Sequence, residues 1–417
     1  MLRVPKSLVF VAAAMTIAAS CTSTHTGTAA GGRAGDNSSP GVTKTAIHVG
    51  GIEYKAFFGD AQIGVQARFK RQNDAGGVFG RRLVLDTTID DNQDATLDLN
   101  AAKTLVQQDH EFAILPVMTA NLAASDFLAQ QQVPFFGWSI EPRWCGNQYG
   151  FGFNGNDCDI SKLANIGDPI AVQQKLFPDG SAQGKTVALL AEDVNSAITA
   201  LNSFATLWRQ HGARVVLIDT STPSPPAVVG DYTPYAEKVL NSNSGKGPDM
   251  VVTLESVSNT LGMYSKLKAL GYKGILQDFT LYDPRLAGST AGLVTEIQFA
   301  PYEEASTNTA VQQMVTDLKA VDPGVVLSQP AAAGYWSADL FIAMLKKAGP
   351  NLTRASFMRA ANAAFSYDFG GGVGTVRFPD YHSAMAPCQS FVRSNGHSFD
   401  VVIPLTCEPL IKNPLLK

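Results

Sequence analysis

From Thr45 onward the apolar residues alternate between two patterns, and this alternation limits the folds open to the chain. Short, largely apolar runs at 47–52, 112–117, 187–191 and 250–254 read as buried strands. Between such runs, apolar residues recur every three or four positions, as in Ala61, Val65 and Phe69, or Ile198, Leu201, Phe204 and Trp208. That spacing keeps one face of a helix apolar. The stretches 82–88, 133–138, 215–219 and 275–276 add further strands, and Asp60 stands where it could cap the first long helix. Strand and helix in turn predict parallel sheets with helices on both faces. The pattern pauses at 144–159 and restarts, so two α/β units of similar size follow one another. The expected fold is α/β, with two doubly wound parallel-sheet lobes. A helical stretch carrying Val311, Leu318, Trp336 and Leu340 comes next, then a tail from Val376 with short β-like runs.

The N-terminus reads as an address. Arg3 and Lys6 precede a mostly apolar segment at 8–19. It is too short to cross a bilayer, which takes about 20 residues, and it fits a signal peptide. The sequence IAASC (17–21) resembles a bacterial lipobox, with Ala18 where leucine is favoured. Residues 1–20 are therefore expected to be removed and Cys21 to carry the lipid anchor. Residues 22–41 have no large apolar side chain, so 21–44 is expected to be a flexible tether. The expected location is extracytoplasmic, at a membrane surface. Four cysteines remain: Cys145, Cys158, Cys388 and Cys407. An even count in an exported chain suggests two disulfides. Three connectivities are open, and proximity in sequence favours Cys145 with Cys158 and Cys388 with Cys407.

Composition and motifs exclude several chemistries. Only 16% of residues are charged, the net charge is −4, and the basic residues are scattered, so no nucleic-acid partner is expected. GSAQGKT (180–186) is one residue short of a phosphate loop and precedes its strand instead of following it. Asp90, Asn92 and Asp94 imitate a calcium loop, but Ala95 and Ala101 replace its glycine and final glutamate. Ser265 and Lys268 fit SxxK only by lying on a helix stripe, and GGGVG (370–374) lacks the setting of a dinucleotide site. The six histidines show no metal-ligand spacing. No catalytic residue, metal or cofactor is expected. Two α/β units facing each other make a ligand cleft at the carboxyl ends of their strands.

The segments NDAGGVFGRRLVL (73–85), IDDNQD (89–94) and QQVPFFG (131–137), in this order, resemble the substrate-binding lipoproteins of branched-chain amino-acid type ABC transporters. The likeness runs over nearly all of 45–405. It implies a type I periplasmic-binding-protein fold, a two-lobed hinged trap. The first lobe would hold 45–150 and a return at 300–372, and the second 151–299 and a tail at 373–417. Crossings would fall near 151–153, 298–301 and 370–375. It also implies a non-enzymatic monomer that takes a small-molecule ligand, serves an ABC permease and meets the membrane only through its N-terminal lipid. By position, Phe58 is the aromatic residue before Gly59-Asp60. Thr119 and Asn121 fall where the third strand's end holds a ligand carboxylate, and Trp138, Ser139 and Ile140 at the end of the fourth. Ser256 stands where the amino-acid receptors place an aromatic residue, and Thr280 where they place the glutamate that receives the ligand ammonium. Thr280 carries no charge, so branched-chain amino acids are expected to bind poorly unless Asp278 or Asp283 substitutes. The aromatic residues would favour a neutral or anionic ligand with a flat or apolar part. Two alternatives remain: a sensory receptor of the same fold, and a cell-envelope hydrolase.

Overall fold

The computed structural model describes residues 39–416 apart from 157 and 226. Residues 1–38, Cys21 among them, lie outside the described residues. The first lobe is laid down in chain order as β1 (Ala46–Glu53), α1 (Lys55–Phe58), α2 (Ala61–Asp74), β2 (Arg82–Asp90), α3 (Ala95–Lys103), β3 (Ala113–Met118), α4 (Ser125–Gln130), β4 (Phe135–Gly137) and β5 (Gly150–Gly152). Its five strands are parallel in the order β2-β1-β3-β4-β5. Every residue of β3 is buried, because both faces of the sheet are covered. Ile114 and Val117 pack with Leu105 and Leu128 on one side, while Leu115 and Met118 pack with Val65 and Phe341 on the other. Asp94 caps α3, accepting from the amides of Thr96 and Leu97 at 2.8 and 2.9 Å. The acidic run there is thus a helix start. Asp60 makes no such cap. Its carboxylate takes Arg285 at 2.6 Å and the Ser328 hydroxyl at 2.8 Å, partners that no local pattern reveals.

The second lobe contains β6 (Asn165–Ile166), α5 (Pro169–Gln173), β7 (Thr186–Glu192), α6 (Asn195–Gln210), β8 (Arg214–Thr222), α7 (Thr233–Asn241), β9 (Met250–Leu254), α8 (Val257–Ala269), β10 (Ile275–Asp278) and β11 (Val294–Ile297). Its parallel strands run β8-β7-β9-β10-β11, the same order as in the first lobe. Each sheet therefore reverses its winding beside its first strand, which is where such folds open a crevice. Lys185 of GSAQGKT pairs with Asp179 at 2.8 Å in the turn before β7.

The chain then returns to the first lobe as α9 (Thr309–Val321), α10 (Gln329–Ala348), α11 (Arg354–Ala361) and the hairpin β12 (Phe365–Tyr367) with β13 (Val376–Phe378). It ends with β14 (Cys388–Ser394), β15 (Phe399–Cys407) and β16 (Ile411–Lys412). β14 and β15 extend the second sheet antiparallel from β11, and β16 pairs with β6. Segments 153–155 and 384–386 run side by side between the lobes, and 299–300 pairs with 372–373. The last passage between lobes falls later than 370–375. β13 still belongs to the hairpin, and Phe378 meets Phe151 of β5 at 5.0 Å, because Val376 and Phe378 are apolar on the face turned to that core. Cys145 is bonded to Cys158, and Cys388 to Cys407 across β14 and β15. The first bond ties the end of the first sheet to the strand of chain entering the second lobe.

α2 and α10 cross closely. A Cβ on Gly64 would stand 2.1 Å from the Ala331 carbonyl, and one on Gly334 2.0 Å from that of Ala61, so only glycine lets the backbones touch. Beside this contact lies a buried ion pair, Arg68 with Asp339 at 2.5 Å.

Candidate functional site

The carboxyl ends of both sheets open into one cavity of about 880 Å³. That is within the roughly 300–1,000 Å³ of small-molecule sites. The first lobe contributes the turns after β1, β3 and β4. The second contributes those after β7, β9 and β10, together with β11. Apolar groups dominate its wall, with Phe57, Phe58, Trp138, Phe204 and Phe279 the largest. Phe58 and Trp138 meet edge to face, ring centres 6.1 Å apart. The Trp138 indole N–H donates to the Gln298 side-chain carbonyl at 3.1 Å. The fourth-strand turn of one lobe is thereby fixed to the segment that crosses from the other.

Seven of the eight residues named from sequence line this cavity: Phe58, Asn121, Trp138, Ser139, Ile140, Ser256 and Thr280. Thr119 does not. It is fully buried beneath the turn, where its hydroxyl oxygen accepts from the Asn121 amide at 3.0 Å and so shapes the loop. Asn121 itself donates to the Gln93 carbonyl at 3.1 Å and accepts from Arg143 at 3.2 Å. Thr280 is tied inward as well, its amide and hydroxyl donating to Asp278 at 2.8 and 3.3 Å. Asp278 is fully engaged, since it also takes the Leu281 amide and the Thr295 hydroxyl. Burial nevertheless pushes its carboxyl up to about 6. Asp283 is paired with Arg285 at 2.5 Å. Neither aspartate stands in for the missing ammonium partner.

The acids that do line the cavity were missed. Glu192 ends β7 and accepts from the Ser256 amide at 2.9 Å and the Asn259 side chain at 2.6 Å. Glu255 follows β9, is 6% exposed, and has the Thr222 hydroxyl as its one near donor, so at least one carboxyl oxygen stays unpartnered. Burial raises its carboxyl to about 7; Glu192 and Asp219 add to the rise and the Thr222 hydroxyl opposes it. Glu296 of β11 is 5% exposed, with one oxygen unpartnered, and burial lifts it to about 8, aided by Asp278. Glu141 lines the first-lobe side and is raised by burial, with Arg143 pulling the other way. Among the described lining residues Arg143 is the one basic group, and it is paired with Glu141 at 3.3 Å. The available signal was a glutamate closing an apolar parallel-strand run, as in VALLAE or MVVTLE, since that end of the strand faces the crevice. Among the described residues, no group of three or more histidine, cysteine or acidic side chains is placed to hold a metal ion. No described helix is long and apolar enough to cross a membrane.

Two doubly wound lobes that enclose a small-molecule-sized cavity at their strand ends define a solute-binding receptor. Comparison with known families agrees, and the chain belongs to the periplasmic binding proteins, whose family model matches residues 53–397. Similar solved structures include a fatty acid ABC transporter substrate-binding protein from Thermomonospora curvata, 16% identical, covering 91% of this chain and 95% of that one, TM-score 0.71. The branched-chain amino acid transporter substrate-binding protein LivJ from Streptococcus pneumoniae, in complex with isoleucine, is 18% identical with TM-score 0.68, covering 87% and 100%. A solute-binding protein from R. palustris in complex with benzoate is 16% identical with TM-score 0.68, covering 89% and 98%. At these identities the likeness carries the fold and not the ligand. A comparison with curated protein sequences returns no match.

Proposed function

We propose that this chain is a lipid-anchored extracytoplasmic receptor that captures a small molecule between its lobes and delivers it to an ABC importer. The observation that carries the reading is the shared cavity, into which both sheets turn their carboxyl strand ends. A site split between two lobes lets ligand contacts draw them together, and closure is what a permease could recognise. We assign Phe58, Trp138, Ile140 and Ser139 to the ligand on the first lobe, and Ser256 on the second. Thr119 acts through the Asn121 turn.

Calorimetry and thermal shift across amino acids, amides, aromatic acids, amines and polyols test the reading, because binding to the folded state raises its stability. Leucine, isoleucine and valine are expected to bind poorly. Trp138→Ala should weaken the true ligand at least several-fold while the fold persists, since an aromatic wall contributes about 0.5–1.5 kcal/mol beyond area burial. Micromolar binding of leucine, unchanged by Trp138→Ala, would remove this assignment. The anchor has its own test. Cys21→Ser should move the protein from the membrane to the soluble fraction, as acyl chains supply about 0.8 kcal/mol per buried CH₂. Equal membrane recovery of both forms would reject the lipid.

A further inference from the structure

The cavity wall contains an imbalance of charge. Glu192, Glu255 and Glu296 line the second-lobe side and Glu141 the first, while Arg143 is already paired with Glu141. Acidic residues at a rim would mean little, because water solvates them. Glu255 and Glu296 are different: both are more than nine-tenths buried, both line the cavity, and both carry oxygens with no partner in the chain. A buried carboxyl oxygen without a donor costs free energy that the fold does not recover by itself. Glu192, by contrast, has its donors supplied by Ser256 and Asn259. Among the acids of the cavity wall, Glu255 and Glu296 are thus the ones left with an unfilled acceptor.

We infer that the cleft selects an apolar or aromatic amine, its cationic nitrogen held by Glu255 with Glu192 beside it, and its body by Phe58, Trp138 and Phe204. This rests on the receptor reading above and names its ligand class. A protonated amine offers up to three N–H donors and one positive charge, which suits the Glu255 carboxyl backed by Glu192. A carboxylate ligand would enter among these acids with Arg143 already neutralised, and like charges in a closed site repel. The anionic half of the sequence-based ligand expectation is therefore disfavoured, and so is a zwitterion, whose carboxylate would need a cation that the wall does not offer. Burial also holds Glu255 and Glu296 partly protonated at neutral pH, so an arriving cation displaces a proton and leaves no unpaired charge in the empty site.

The test compares head groups on constant bodies. On an indole body the probes are tryptamine, indole-3-ethanol and indole-3-propionate; on an alkyl body they are octylamine, octanol and octanoate. Binding to the full-length protein is read by calorimetry, and lobe closure by the radius of gyration in solution scattering. The amine of at least one body should bind about tenfold or more tightly than its alcohol, with the carboxylate weaker still. Glu255→Gln should lower amine affinity about tenfold and leave alcohol affinity within about threefold, with thermal melting confirming that the variant folds. If a carboxylate or alcohol binds best on both bodies and closes the lobes, the charge assignment falls and the receptor reading stands. If no probe here, and none of the wider set of amino acids, amides and polyols, binds or closes the lobes, both fall.

Discussion

Asp339→Ala is expected to cost about 3–5 kcal/mol of stability, although Asp339 is remote from the cavity, because it strands a buried guanidinium. Arg68 on α2 and Asp339 on α10 are each 5% exposed and 2.5 Å apart. The other Asp339 oxygen accepts from the Tyr367 hydroxyl at 2.7 Å, which ties β12 into the same contact. Arg71 stands 3.7 Å from Asp339 and 3.3 Å from Asp317, which in turn accepts from Tyr335. Removing the aspartate leaves Arg68 charged, desolvated and with an Nη1 already unpartnered. Removing both members avoids that penalty. Chemical denaturation should therefore find the double variant Arg68→Met/Asp339→Leu more stable than Asp339→Ala. If the double variant loses as much as the single, the cost lies in packing and not in the stranded charge.

This network explains why the fold was more legible than its fastenings. Strands such as β3 and β7 are buried on both faces, so every position must be apolar and the run is visible in one dimension. α6 shows its stripe through Leu201 and Trp208 because one face packs and the other does not. Asp60 looked like a helix cap because local pattern is all a sequence displays; its partner Arg285 lies 225 positions away. The same reason hid the last passage between lobes. The glycines at 370–374 mark a flexible stretch, but pairing between β12 and β13 holds the chain in the first lobe for longer.

The site divides along a similar line. Turns after parallel strands could be located once the strands were, so Phe58, Trp138 and Ser256 fell on the cavity wall. Which atoms face the ligand depends on local hydrogen bonds. Thr119 is spent on the Asn121 amide and Thr280 on Asp278, and neither bond follows from residue type. Glu255, adjacent to Ser256, was passed over because a lone glutamate at a strand end resembles any solvated boundary residue. Only burial and an unpartnered oxygen distinguish it.

Buried acids should also govern the response to pH, with Glu53 the clearest case. It closes β1 and is fully buried. Burial raises its carboxyl to about 8, with Thr88 and Lys55 offsetting part of the rise. In the unfolded chain the same group titrates near 4.5. Between these values the folded state keeps a proton that the unfolded state has released, so stability falls as pH climbs from about 4.5 to about 8. Glu111, raised to about 8, and Asp98, raised to about 7, act in the same direction. His382, lowered to about 4 by burial, opposes them below its usual 6.5, but it is outnumbered. The protein should therefore resist denaturant better at about pH 5.5 than at about pH 8.5. Glu53→Gln keeps the shape of the protonated acid and removes its titration. It should gain at least about 1.4 kcal/mol at the higher pH, the value of one pKa unit, and little at about pH 4.5. Urea midpoints for both proteins at the three pH values decide it. A flat wild-type profile, or a Glu53→Gln variant weaker than wild type at the highest pH, would mean that Glu53 is ionised and paired in the folded protein.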